Sequence, residues 1–306
     1  MKTGAIVHRP AIRTRLTALL AAPRGDYLPI AIGSDIVGWV DAARADVLAR
    51  FAHVFDRLPS GLVFNAAIET VAVRTAALDR VVEALAAEGR LTAWRDERYA
   101  IAAHFGAAPL CLIERAAARF FGIRTYAAHV NGLVCDDSTS MWLARRSADK
   151  AIDPGLLDNL VGGGIPAGAT VPETVVREAW EEAGIPADVA ATATPTGELR
   201  ICRAQPDGLQ RETIFVHDLW LDDDFVPSNQ DGEAVEHRRA SLEEAAALIA
   251  SEQGADVVTV DASLVILDFL LRRGVVDPDT PDGRALSALR YSPLELVNSD
   301  SKRSIV

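Results

Sequence analysis

The stretch Gly162–Ile185 (GGGIPAGATVPETVVREAWEEAGI) constrains the fold of this chain more than any other. Its first half is rich in glycine, as in loops that let backbone approach a ligand closely. Its second half carries both ends of a helix. Thr170 and Glu173 have the Thr-x-x-Glu spacing of a capping box, with Pro172 tolerated in the first turn. Gly184 stands where a C-terminal glycine belongs, so a helix over Val171–Ala183 is predicted. At about 100° per residue, Glu178, Glu181 and Glu182 share one face of it. Three like charges on one face repel, so a cation is expected among them. Arg177, four residues before Glu181, is one solution. A hard divalent cation is the other, because Mg²⁺ takes oxygen ligands and keeps substrate phosphate oxygens in its shell. A solvated acidic face accounts for the three Glu alone; the Gly-rich run beside them, whose carbonyls can complete a metal shell, favours the cation.

The 306 residues allow one large or two ordinary domains. Helical spacing is read at Arg13–Ala22, at Asp41–Phe55 with Asp41 as N-cap, at Thr75–Ala87 before Gly89, and at Leu112–Phe121 before Gly122. Gly61–Ala67 reads as a strand. Past Ile123 the character changes. Ile123–Val134, Ser140–Arg146, Gly197–Ala204 and Thr213–Leu221 read as strands, Asp153–Gly168 as a loop, and Asp222–Glu236 as an acidic loop. Ser241 and Glu244 form a second capping box, and a last helix runs over Asp261–Arg273 to Gly274. The expected division is an N-terminal accessory domain over 1–121, a second domain over 122–275 and a tail over 276–306. The tail is expected to be poorly ordered, with Leu286–Leu296 able to pack back.

With 43 acidic against 31 basic residues the net charge is −12, which argues against nucleic-acid polymers and anionic membranes as partners. No run reaches the ~18 apolar residues of a membrane helix. A phosphorylated small molecule stays open, since bound metal ions invert the local field. Cys111, Cys135 and Cys202 are odd in number and widely spaced, so neither a disulfide scaffold nor a cysteine zinc site is expected, and a reducing cytoplasm is the expected compartment. No Ser-His-Asp or Cys-His spacing argues for a covalent nucleophile. Nothing in the sequence sets an oligomeric state.

Gly163 and the run Arg177-Glu178-Ala179-Trp180-Glu181-Glu182-Ala183-Gly184-Ile185 resemble the Nudix box. One position departs: Ala169 stands where the box has its first Glu. Further stretches look like the Nudix subgroup associated with thiamine pyrophosphokinases. They are His129–Gly132, Met141–Lys150, Pro154–Gly168, Pro227–Glu236, Gly38-Trp39 and Trp94–Glu97. The resemblance implies an α/β fold, a Nudix α/β/α sandwich with a mixed sheet preceded by a smaller α+β domain. It also implies Mg²⁺- or Mn²⁺-dependent hydrolysis of a small-molecule diphosphate: thiamine diphosphate, or its oxidised or damaged analogues, to the monophosphate. ADP-ribose or a dinucleotide is the alternative substrate, and a catalytically silent binding module the alternative class.

Carried over from the box, Glu178, Glu181 and Glu182 are the expected metal ligands, with Glu178 and Arg177 counted in the catalytic machinery. Arg177 is expected to hold the carboxylates rather than touch substrate. Gly163 offers either a carbonyl to the metal or a plain turn. Glu233 and Glu236 are remote carboxylates, one as a further ligand and the other as the base, or else part of a solvated loop. Arg145, Arg146 and Lys150 are candidate phosphate donors. Trp142 and Trp39 are candidate stacking surfaces for an aromatic substrate, or core residues. His129 is read as a satisfied core histidine.

Overall fold

The computed structural model describes residues 9–136 and 138–293. After α1 (Arg9–Leu19), the strands β1 (Tyr27–Ile32), β2 (Asp35–Asp41), β3 (Phe55–Leu58) and β4 (Gly61–Phe64) form a sheet in the order β2-β1-β4-β3. Helices α2 (Ala42–Ala49) and α3 (Val71–Ala87) belong to the same unit and start where their caps dictate. Asp41 accepts from the Arg44 amide, and Thr70 from that of Val73. Strands β5 (Arg98–Ile101) and β6 (Cys111–Glu114) make a separate antiparallel ribbon. Phe55, Leu62, Leu78, Val81, Ile113 and Phe121 are buried together as the core of this domain.

Two local expectations fail here. Leu112–Phe121 is not a helix: β6 is followed by a single 3₁₀ turn at Arg115–Ala117. Cys111 and Ile113 both point inward opposite Ile101 and Tyr99, and this two-residue period prevails over helical spacing. The helix expected to reach Phe55 ends at Ala49, because Phe55 is recruited into β3.

The second sheet has seven strands. They are β7 (Arg124–Cys135), β8 (Thr139–Arg146), β9 (Leu157–Asn159), β10 (Val161–Gly164), β11 (Thr194–Gln205), β12 (Gly208–Leu221) and β13 (Ala234–Ser241). The order is β11-β12-β7-β8-β13, with β10 on β7 and β9 on β8. β7 and β12 run parallel and the other pairs antiparallel, so the sheet is mixed. Alternation along β7 sends Ala128 and Val130 to a core under α4 (Val171–Ala183), and Ala127 and Leu133 to a core under α7 (Val260–Arg272). The result is the α/β/α sandwich. Around it lie α5 (Ala187–Ala190), α6 (Leu242–Leu248), whose Ser241–Glu244 capping box is formed, and α8 (Pro281–Ala288). Asp153–Gly168 is more than a loop, since it contributes β9 and β10.

The packing does not follow a cut at 121. Ile12, Leu16 and Leu20 lie in the core beneath α7. Arg15, 3% exposed, donates to the Ile249 and Val258 carbonyls and the Ser263 hydroxyl at 2.5–2.9 Å. At the other end, Leu286 is fully buried in the same core, so α8 is no loose tail. The end of the Leu286–Leu296 segment lies outside the described residues. Among the described residues, no helix is long and apolar enough to cross a membrane.

Candidate active site

The glycine run and α4 meet at one place. α4 is held at its start by the Thr170–Glu173 capping box and at its end by Gly184, whose φ is +64°. Its inner face packs Val175, Ala179 and Ala183 against the sheet, which brings Glu178 and Glu182 inward too. Each is 8% exposed. The Gly162 amide donates to Glu182 Oε2 at 2.8 Å, while Arg177 spans Glu178 (2.6 Å) and the more exposed Glu181 (2.9 Å). Each glycine of β10 answers to a neighbour. A Cβ at Gly162 would lie 2.8 Å from the His129 ring, one at Gly163 2.1 Å from the Glu178 carboxyl, and one at Gly164 1.9 Å from the Tyr99 hydroxyl. His129 is itself buried and paired with Asn159 Oδ1 at 2.9 Å, a satisfied core histidine.

The acidic loop after β12 folds back on α4: the Ser228 and Gln230 amides donate to the Ala183 and Glu181 carbonyls. That course delivers Glu233 to the site, where it pairs with Lys150 and, at 3.1 Å, with Arg95. Arg146 pairs with Asp158 at 2.8 Å. Burial first, and neighbouring charge second, sets how these groups hold their protons. Burial, then the charge of Glu178, pushes Glu182 up to about 8, against the Gly162 amide and Lys150. Burial also raises Glu178. Burial, then the fields of Arg146, Arg95 and Arg115, brings Lys150 down to about 8, against the pull of Glu182.

These groups surround a cavity of about 460 Å³ between the two domains. The catalytic-domain wall includes Gly162, Gly163, Arg177, Glu178 and Glu181, flanked by Arg146, Lys150, Asp231 and Glu233. The structure thus brings together seven of the residues singled out in the sequence, and Glu182 sits directly behind Gly162. Four others are elsewhere. Arg145 bonds Glu236 (2.6 Å) and Asp256 (2.5 Å), so neither Arg145 nor Glu236 reaches the cavity. The antiparallel pairing of β8 and β13 sets them opposite each other, which is why each takes the other as partner. Trp39 is buried among Tyr27, Cys202 and Leu209. Trp142 packs against the core beneath α4. For both rings, burial of apolar area outweighs exposure to a polar cavity.

The sequence reading missed the far wall. Arg95, Glu97, Tyr99 and Arg115 come from the N-terminal domain, and Arg119 and Glu212 extend the lining. The Trp94–Glu97 stretch held the available signal, since it contains Arg95 and Glu97. Among the described residues, no group of three or more His, Cys, Asp or Glu is gathered as a metal cage, because Arg177 and the Gly162 amide engage the carboxylates instead.

Residues 125–259 match the NUDIX domain, and residues 13–125 match a family described as Domain of unknown function (DUF4743). The chain is 35% identical to "Nudix hydrolase 24, chloroplastic" of Arabidopsis thaliana over 260 residues, 84% of this chain and 70% of that protein. It is 33% identical to "Nudix hydrolase 20, chloroplastic" of the same plant, with the same coverage of each. Among solved structures, a MutT protein from Methanosarcina mazei Go1 is similar with a TM-score of 0.37 and 19% identity, over 49% of this chain and 95% of that one. The relationship spans both domains, and the chain belongs to the Nudix hydrolase family, enzymes that act on pyrophosphate bonds.

Proposed function

We propose that this Nudix hydrolase cleaves an organic diphosphate of the thiamine diphosphate class, including its oxidised or damaged analogues, to the monophosphate and phosphate. The observation that carries the hydrolytic part is the buried pair Glu178 and Glu182 behind Gly162 and Gly163, at a cavity that Lys150, Arg146, Arg95 and Arg115 also line.

The donor set fits a hard divalent cation. Glu178, Glu181 and the Gly163 carbonyl at the cavity, with Glu182 behind Gly162, would hold Mg²⁺ or Mn²⁺, while Glu233 in the same lining is paired with Lys150 and Arg95. The cation would supply charge neutralisation for the diphosphate oxygens. The protein's own groups do the rest. Arg177 orients Glu178 and Glu181. Lys150 and Arg146 offer donors to the phosphates, and a lining carboxylate orients the water. The water oxygen bonds to the terminal phosphorus and the bridging P–O bond breaks. The bridging oxygen leaves on the organic monophosphate, the water oxygen leaves in inorganic phosphate, and the proton that the water loses passes to the lining carboxylate.

Support for a thiamine-like organic part comes from carboxylates beyond the glycine run. Asp153 and Glu212 line the same cavity, and Asp153 is raised by burial and then by Asp261. These two carboxylates offer a positively charged group such as a thiazolium ring a partner, while the cations of the same lining serve the phosphates.

The test is a diphosphate panel with and without Mg²⁺ or Mn²⁺, using Glu182→Gln as control. Metal-dependent phosphate release from thiamine diphosphate or an oxidised analogue, lost in the variant, is expected. Faster cleavage of ADP-ribose to AMP overturns the substrate assignment, and no turnover of any diphosphate assigns a silent binding module.

A further inference from the structure

We propose that Arg95 and Arg115 of the N-terminal domain form, with Lys150, an anion-binding wall that takes the terminal phosphate of an organic diphosphate, which makes this domain part of the active site. The proposal rests on the hydrolase reading above and names how the substrate is gripped. The two arginines line the same cavity as Gly163 and Glu178 but come from the opposite domain. Their side chains are neither buried nor free in solvent, at 37% and 39% exposure. Each uses one nitrogen on a carboxylate. Arg95 Nη1 donates to Glu233 at 3.1 Å, and Arg115 Nη1 to Glu97 at 2.7 Å. A guanidinium has five N–H donors in a rigid fork, so both keep capacity for a planar or tetrahedral anion.

Their placement is enforced by the backbone. The Arg98 carbonyl accepts from the Ala167 amide at 2.8 Å, the Glu97 carbonyl accepts from the Arg115 amide at 2.9 Å, and the Arg115 guanidinium lies over the Tyr99 ring at 5.8 Å. Tyr99 in turn rests on Gly164. The ribbon of β5 and β6 is therefore docked on the strand that carries the glycine run, and the two cations are held across from the carboxylates of α4. Acids and bases both line this cavity, and the spare donors of Arg95 and Arg115, set beside Lys150, are what suit an anionic ligand.

The test is calorimetric titration of the full chain with inorganic pyrophosphate in Mg²⁺ buffer. The wild type should bind, and Arg95→Ala/Arg115→Ala should weaken binding roughly tenfold to hundredfold. Arg115→Lys should recover part of the loss, and Arg239→Ala, whose partners are Asp136 and Asp223, should bind as wild type. Should the double variant melt early, Arg95→Ala alone decides, with a weakening of several-fold expected. A folded variant that binds within about twofold of wild type, or a wild type that does not bind pyrophosphate, overturns the proposal. Pyrophosphate binding without hydrolysis of any organic diphosphate removes the hydrolase reading and leaves the wall standing. Hydrolysis with unchanged pyrophosphate affinity in the double variant removes only the wall.

Discussion

The Tyr99 hydroxyl occupies the space a Gly164 side chain would need, 1.9 Å from an ideal Cβ. One residue belongs to the N-terminal ribbon and the other to the glycine run, so the contact sets how the two domains meet at the site. Gly164→Ala should cost about 1–3 kcal/mol, as overpacking does, and lower turnover by misplacing the far wall. Tyr99→Phe removes the nearest clashing atom, so the alanine should cost less in that background. Thermal melts of the four proteins in the cycle measure this, and a cost unchanged by Tyr99→Phe would show that the hydroxyl is not the obstacle.

Arg15 anchors α1 in the catalytic domain through three buried acceptors. Arg15→Leu takes the guanidinium from the Ile249 and Val258 carbonyls, while Ser263 keeps its bond to the Thr259 carbonyl. At about 1–3 kcal/mol for an unsatisfied buried group the chain should lose about 2 kcal/mol or more. Arg13, paired with Asp282 at the surface, should cost under about 1 kcal/mol when changed to alanine. Urea unfolding of both variants tests the contrast.

Glu233 and Glu236 are three residues apart with different fates. Glu233→Gln should lower kcat/KM by about 10- to 100-fold, the range seen when groups that orient a site are removed. Glu236→Ala and Arg145→Ala break an ion pair outside the cavity and should leave kcat/KM within a few-fold of wild type. Equal losses at both positions would show that the cavity lining does not mark the active site.

Glu182 is held protonated by burial up to about 8, well above its usual range. The folded state therefore binds the proton more tightly than the unfolded chain. This stabilisation is full below the unfolded carboxylate value and is lost as pH rises through about 8. In metal-free protein, Glu182→Gln should melt progressively higher relative to wild type between pH 5 and 8, the window spanned by that shift. A constant difference in melting temperature across this range would contradict it.

The capping box at Thr170, Gly184 and the acidic face of α4 were all legible in the sequence, and the helix spans the predicted residues. Caps and periodicity are local, set by residues within a turn or two of one another, so they survive without knowledge of the rest of the chain. The box residues were legible for the same reason. What the sequence could not decide was which long-range partners each side chain would find. Arg145 and Arg146 are adjacent, yet strand alternation turned one toward Glu236 and Asp256 and left the other at the cavity. Trp39 went to the core because an apolar ring gains more from burial than from a polar cavity. Arg95 and Arg115 became part of the site only because Tyr99 and the Arg98 carbonyl dock the N-terminal ribbon on Gly164 and Ala167. Chemistry carried on one helix is written in local spacing, whereas a wall supplied by another domain exists only once two surfaces have packed.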